Sequence, residues 1–511
     1  MRAGLLLLTL LPVLPAGADT LALRDGRFVE RPSIDRNADS YVIHYEHSDV
    51  TVPAAMVLDY LKEGASGNYV PVTAEEKRRF AKGFVHWKGR WVKIAQRDRD
   101  LKKIRARRAL YMRQLKERRF WRNHATVKTR RFIFNHTLPD EVFESYEALF
   151  ETYYDFFTKY WGFRPSSKFG KVTINIYHTR EYFEQVSGAP EGVLGWYRPD
   201  ERDLHFYYDR ADPRLTLDVM FHEGNHMLTH MIDRNMWYPW WIGEGMAEYF
   251  GASEWDPATR TMKLGGIQSG RLAVLLTQVK DGKLLKLEDL LETQGLGAIG
   301  YAWAWSFCHF LLHTPKYEKK IKRYYLAVAR DRSFKKVPRF LTIRQLPPDE
   351  ARRTLLRYLR VRKIEKLQKE WYDYIENVLG KAREGIDWGQ AAETMVRFSE
   401  YAKARKYFKR ALDAGSKEPY VHYGYAKLKL RQNMPGIALK YARKAAEFDP
   451  LHAGAWAIQG LALYATQEFA EGLRLLELAH EMAPDDSEIW FALEGTRQAE
   501  QKRKELEAGN G

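Results

Sequence analysis

Apolar residues recur with two different periods along this chain, and the changes of period divide it. Between residues 20 and 52 they alternate with polar ones in Thr20-Leu21-Ala22-Leu23, Arg27-Phe28-Val29-Glu30, Tyr41-Val42-Ile43-His44-Tyr45 and Val50-Thr51-Val52, which predicts short strands. Asp25-Gly26 is a hairpin signal between the first two, because both residues tolerate positive φ. Residues 19–70 therefore read as a small β-barrel-like module. A further hairpin spans Gly83 to Val92 with Lys88-Gly89 at its turn. From Arg97 to Trp121 the period becomes helical, with Leu101, Ile104, Tyr111 and Leu115 on one stripe, and residues 71–130 form a helical connector.

Residues 131–384 mix both periods, as an α+β domain does. Strands are expected at Arg131–Phe134, Lys171–Tyr177, Gly192–Tyr197 and Leu204–Tyr208, with an aromatic-rich helix from Pro139 to Tyr160. Leu215, Leu217, Met220, Phe221, Met227, Leu228 and Met231 then lay an apolar face on a helix. After a break at Asn235 to Pro239 the chain can turn and bring a second helix alongside, and a last apolar helix runs from Gly300 to Leu312.

From residue 385 the pattern repeats. Ala404, Ala438 and Gly472 stand 34 apart, as do Ala411, Ala445 and Ala479; Trp388, His422, Trp456 and Trp490 share one position, and Pro450 and Pro484 another. Small residues where helices cross, at this period, predict an all-α tetratricopeptide solenoid over 385–505 with a capping helix after Trp490. Such arrays take up segments of partner proteins.

Composition changes this picture in three places. Residues 1–18 carry Arg2, an apolar stretch from Leu5 to Leu14 and Ala16-Gly17-Ala18, the layout of a secretory signal peptide, so the protein is expected to be exported, periplasmic or extracellular. Beyond it no run is long enough to span a bilayer, and the mature chain needs no transmembrane segment. Cys308 is the only cysteine, which excludes an intrachain disulfide and a thiolate metal cluster. The net charge of +17 is local: Glu75 to Arg131 holds 22 Lys and Arg against 5 acids, which leaves 61 of each elsewhere. That connector is either a solvated helix face or an attractor of an anionic polymer or surface.

The chemistry concentrates in Phe221-His222-Glu223-Gly224-Asn225-His226 and in Trp241-Ile242-Gly243-Glu244-Gly245-Met246-Ala247-Glu248. His222 and His226 leave one helix face four residues apart, a spacing that suits two ligands of a tetrahedral Zn²⁺. H-E-x-x-H also arises by chance on ordinary helices; here an apolar helix, a break and a second acidic helix accompany it. Glu223 is placed to move a proton as general base and then acid. Glu244, after seventeen intervening residues, offers the third ligand, and Glu248 could fix a ligating imidazole from behind. Spacing alone leaves the exchange of these two roles open. His230 continues the series by four but drifts around the helix, so it is expected beside the site or facing solvent rather than as a fourth ligand.

These residues resemble the gluzincin branch of the H-E-x-x-H metallopeptidases, and most of all the peptidase MA-like domains of exported bacterial proteins. The resemblance spans roughly residues 130 to 330 and is specific at the helix pair. It implies a zincin-like fold, peptide-bond hydrolysis, Glu244 as the third zinc ligand, and an edge strand above the metal that pairs with extended substrate. For that edge it points to 204–208, with 192–197 lining the cleft; for a donor to the oxyanion it points to Tyr301. The whole then reads as an exported zinc metallopeptidase acting on peptide or protein substrates, with a repeat array for protein binding. The alternative is a protein-binding scaffold that retains a peptidase-like fold without catalysis.

Overall fold

The computed structural model describes residues 19–509 apart from 24–26, 32, 62–70, 72, 88–89, 119, 166–168, 191–192, 209–212, 257–258, 340–342, 398 and 485. The signal-peptide reading of 1–18, both hairpin turns, and the side chains of the stripe from Leu101 to Leu115 lie outside the described residues. The chain is multidomain, with an N-terminal β-rich region and a C-terminal helical stack. It divides into two compact units, Met1–Ala106 with Glu400–Gly511, and Arg107–Ser399.

The N-terminal region contains β1 (Asp19–Leu23), β2 (Phe28–Arg31), β3 (Ile34–Arg36), β4 (Ser40–His44), β5 (Asp49–Pro53) and β6 (Val57–Leu61). They form two three-stranded sheets, ordered β2-β1-β6 and β3-β4-β5, in place of a closed barrel. The alternation in β5 buries Val50 and Val52 and exposes Asp49, Thr51 and Pro53. A helix α1 (Ala74–Phe80), opened by a Thr73–Glu76 capping box, leads to the hairpin β7 (Phe84–Trp87) and β8 (Arg90–Lys93), and then to α2 (Ile94–Glu117). The basic helix crosses the boundary between the units, so the connector belongs in part to each.

The central unit is built on a sheet of β9 (Ala125–Lys128), β10 (Phe132–His136), β11 (Val172–Tyr177), β12 (Gly195–Arg198) and β13 (Asp203–Tyr207), in the order β12-β13-β11-β10-β9. The three inner strands are parallel and both edges antiparallel. This corrects the expected edge: 204–208 is internal, and β12 is the edge strand beside it, with β9 at the far edge. All five residues of β13 are buried, a strand covered on both faces, and its His and Tyr residues disguise that in the sequence.

Phe132, Phe134, Ile174 and Phe206 face α3 (Asp140–Trp161), whose Phe150 packs on the sheet and whose Tyr153 packs on Phe221 of the following long helix. Between these lies α4 (Arg180–Ser187), and α5 (Pro213–His230) follows the sheet. Next come β14 (Met236–Trp237), α6 (Trp240–Gly251), β15 (Glu254–Asp256), β16 (Thr261–Lys263), α7 (Ser269–Lys280), α8 (Leu287–Glu292), α9 (Ala298–His313) and α10 (Pro315–Arg330). The strands β17 (Val337–Pro338) and β18 (Arg344–Gln345) pair back onto β14, and α11 (Pro348–Leu359), α12 (Ile364–Tyr374) and α13 (Trp388–Arg397) close the unit. Although Trp388 is in phase with the repeats, α13 packs on α7 within this unit: a Cβ on Gly270 would collide with Thr394.

The stack comprises α14 (Tyr401–Asp413), α15 (Pro419–Arg431), α16 (Pro435–Phe448), α17 (Ala453–Ala465), α18 (Phe469–Met482) and α19 (Ser487–Gly509). Its helices start at 401, 435 and 469 and at 419, 453 and 487, both series with the 34-residue period. Gly460 and Gly472 mark a close crossing, since a Cβ on Gly460 would stand 2.7 Å from the Gly472 carbonyl oxygen. Within the same unit the N-terminal strands share one core with these helices: Leu21, Ile43 and Val52 pack with Leu463, Leu475 and Leu478. Around it Arg27 grips Asp449 through two hydrogen bonds of 3.0 Å, and Arg474 donates to the His47 carbonyl at 2.8 Å. No helix among the described residues is long and apolar enough to cross a membrane.

Candidate metal centre

Two helices and one strand edge create the centre. The apolar face of α5 packs on α3, which turns His222 and His226 toward α6; their rings lie 5.0 Å apart at 77°. The second helix approaches because Gly245 permits it: a Cβ there would stand 2.6 Å from both the Ala304 carbonyl oxygen and Cys308 Sγ on α9. This crossing delivers Glu244 to the histidines. Glu244 Oε2 is 3.4 Å from His222 Nε2 and 3.4 Å from His226 Nε2, and the donor atoms of all three residues lie within 4.8 Å of one another. Ligands about 2.0–2.1 Å from a tetrahedral zinc stand roughly 3.3 Å apart, so the donor set and its spacing fit that ion.

Glu248, one turn further along α6, meets the opposite side of His222, with Oε1 3.4 Å from Nδ1. An Nδ1–H donated there leaves Nε2 free to ligate. Arg271 of α7 holds Glu248 from behind through Nε at 2.6 Å and a second nitrogen at 2.7 Å, and Gln268 donates to it at 3.0 Å. Burial would raise the Glu248 carboxyl, but the Arg271 charge, with hydrogen bonds from His222 and Arg271, holds it down at about 2. Burial opposes ionisation of Glu244 as well, and the charge of His226 with hydrogen bonds from both histidines keeps it well below the usual carboxylate range. The geometry thus separates the two carboxylates: Glu244 faces the Nε2 atoms and Glu248 faces Nδ1.

Glu223 projects beside the histidines, Oε1 3.9 Å from His222 Nε2. Its Oε2 accepts the Tyr197 backbone N–H at 3.0 Å, so the open edge of β12 reaches the site directly. Burial raises its carboxyl above the ordinary range, opposed by the charges of His222 and His226. The strand lies this close because residue 195 is glycine; a Cβ would come within 2.5 Å of Val219. Tyr197 pins the strand a second time, through its hydroxyl 2.7 Å from His230 Nδ1. His230 Nε2 meets the Arg234 carbonyl, so both of its nitrogens are engaged away from the trio.

Tyr301, at the start of α9, has its ring 6.4 Å from that of His222, with the Arg271 guanidinium 5.2 Å above it. Burial, followed by the charges of Glu244, Glu248 and Glu223, drives its hydroxyl pKa far upward, so it remains a proton-bearing donor. Trp237 stacks on His226 at 5.8 Å. Sequence reasoning passed over Arg271 and Gln268, and it placed 192–197 at the cleft without the Tyr197 bond to Glu223. Arg271 did leave a signal: it heads the apolar run Leu272-Ala273-Val274-Leu275, and the structure buries it, where a guanidinium requires an acid.

Residues 217–334 match a family described as "Protein of unknown function (DUF1570)". No curated protein matches the chain. Among solved structures it is similar to "First TPR of Spaghetti (RPAP3) bound to HSP90 peptide SRMEEVD" at 20% identity and TM-score 0.21, over 22% of this chain and 89% of that one. It is also similar to "NMR structure of the first TPR domain of the human RPAP3 protein" at 19% identity and TM-score 0.22, over 23% and 93% respectively.

Proposed function

We propose that the central unit is a zinc-dependent metallopeptidase of zincin-like fold. The observation that carries this reading is the trio His222, His226 and Glu244 at ligand spacing, with Glu223 beside it on the open edge of a sheet. A zinc ion held there would supply Lewis acidity toward a carbonyl oxygen and make water more acidic. Because Tyr197 occupies Oε2 of Glu223, Oε1 is the atom left to take a proton from water and return it to the departing amine nitrogen. An extended peptide can pair with the outer edge of β12, which presents its scissile bond beside Glu223. Tyr301 is the candidate donor to the developing oxyanion.

The C-terminal stack is, in this reading, a tetratricopeptide solenoid that binds protein partners, and residues 1–18 direct export, leaving Asp19 as the first mature residue. The test of hydrolysis is cleavage of a mixed peptide library, analysed by mass spectrometry. Wild type should yield defined products, and Glu223→Gln should lose rate by about 10²–10⁴-fold, the usual worth of a general acid–base group. Equal cleavage by both proteins would refute the assignment.

A further inference from the structure

The wall beside His226 carries side chains that the hydrolytic reading leaves unused. Met236, Tyr238 and Trp241 are buried, whereas Trp237 and Trp240 of the same stretch stay half-exposed. Trp237 stacks on His226, with ring centroids 5.8 Å apart and 19° between the planes. The half-buried Arg339 brings its guanidinium over both indoles, 5.2 Å from the Trp237 ring and 4.6 Å from the Trp240 ring. The two stacking distances put it within about three residues of extended chain from His226.

The small sheet β14-β18-β17 fixes the arginine there. Arg339 directly follows β17; its N–H donates to the Ile343 carbonyl at 2.9 Å, and its side chain donates to Gln345 Oε1 at 3.3 Å. Gln345 is itself anchored, donating to the Tyr238 carbonyl at 2.5 Å. Stacking uses the flat faces of a guanidinium, so its donors point outward in the plane, a fork that matches a carboxylate.

Charge decides what such a fork selects. Burial works against the Arg339 cation, and the carboxylate of Glu244 acts in its favour. Zinc held by the trio would bring two positive charges, which offset Glu244 and Glu223, while the ligating histidines are neutral. Arg271 offsets Glu248. With the guanidinium of Arg339 added, these groups together make the loaded site net positive.

We infer that Arg339, on its platform of Trp237 and Trp240, selects substrates by taking a carboxylate of the bound peptide, either its C-terminus or an acidic side chain near the scissile bond. This rests on the hydrolytic reading for the presence of a peptide in the cleft. A C-terminal carboxylate would make the enzyme a carboxypeptidase, and an acidic side chain would make it an endopeptidase at acidic residues.

The experiment is fluorescence anisotropy of the zinc-loaded full chain carrying Glu223→Gln, so that bound peptide is not consumed. Three fluorescein-labelled peptides are compared: tetra-alanine with a C-terminal carboxylate, its C-terminal amide, and that amide with glutamate as the third residue. One of the two carboxylate peptides should bind about tenfold or more tightly than the plain amide, and which one does so names the source. Arg339→Met and Arg339→Gln each remove the charge with different packing, so one folded variant is enough; each should abolish the preference. Three peptides that bind alike, no binding up to about 1 mM, or a preference that survives either replacement would overturn the proposal. Cleavage by the protein with Glu223 intact is scored separately. Hydrolysis without a carboxylate preference would keep the peptidase and remove this role of Arg339, whereas the preference without hydrolysis would keep Arg339 and remove the peptidase.

Discussion

Glu244 and Glu248 sit one turn apart on the same helix, yet they address opposite nitrogens of one imidazole, and their environments divide the work. Glu248 is 3% exposed and Arg271 5%, so each is the other's main charge partner. Glu248→Ala strands a buried guanidinium and should destabilise the fold by about 3–5 kcal/mol in urea titration. Replacing both by leucine should cost less than either single alanine, because no charge is left uncompensated. A double variant as unstable as the sum of the singles would contradict the pairing. The histidines and Glu223 were legible because helix geometry alone aligns positions four apart. The pairing of Arg271 with Glu248 and the bond from the Tyr197 N–H to Glu223 were not, because α7 and β12 arrive by tertiary packing, which no local spacing encodes.

At the scale of elements, helix approach is set by missing side chains. Gly245 has Ala304 O and Cys308 Sγ at 2.6 Å from where a Cβ would be, so Gly245→Ala must push α6 from α9 and carry Glu244 with it. The expected loss is about 1–3 kcal/mol of stability together with weakened metal binding. An unchanged urea midpoint would show that the crossing has slack. Helices α3, α5 and α9 fell where their periods placed them, since an amphipathic stripe of several turns has one solution. Strand order did not follow from pattern. The five buried residues of β13 include Asp203 and His205, whose polarity reads as an exposed edge until Arg198 and Tyr177 are seen to engage them.

For the whole molecule, the chain's two ends meet in one unit, and the N-terminal sheets cover Leu463, Leu475 and Leu478 of the stack. Deleting residues 19–61 should uncover that surface, raise binding of an apolar dye and lower the melting temperature of the stack. A stack that melts unchanged would make the shared core incidental. The 34-residue period was legible over the stack, whereas the covering of its helices by strands some 400 residues away was not, because that interface repeats nothing. Acid should also weaken the protein. Burial, then the His313 charge, lowers His309 to about 3, and burial, then Arg118, lowers His136 to about 4, against 6.5 when unfolded. Between those values the unfolded chain binds more protons, so stability rises with pH and falls on acidification, by up to about 1.4 kcal/mol per pH unit for each histidine. His309→Asn should reduce that slope between pH 6.5 and 4, as read from urea midpoints; an unaltered slope would remove His309 from the account.

The central claim is that His222, His226 and Glu244 hold one zinc ion, and elemental analysis of purified protein tests it most directly. Wild type, Glu244→Ala and Glu248→Ala are to be compared after identical zinc loading and desalting. The expected result is near one zinc per chain in wild type, loss in Glu244→Ala, and retention with affinity reduced by about 10–100-fold in Glu248→Ala. Zinc absent from every preparation, or retained in full by Glu244→Ala, would contradict it.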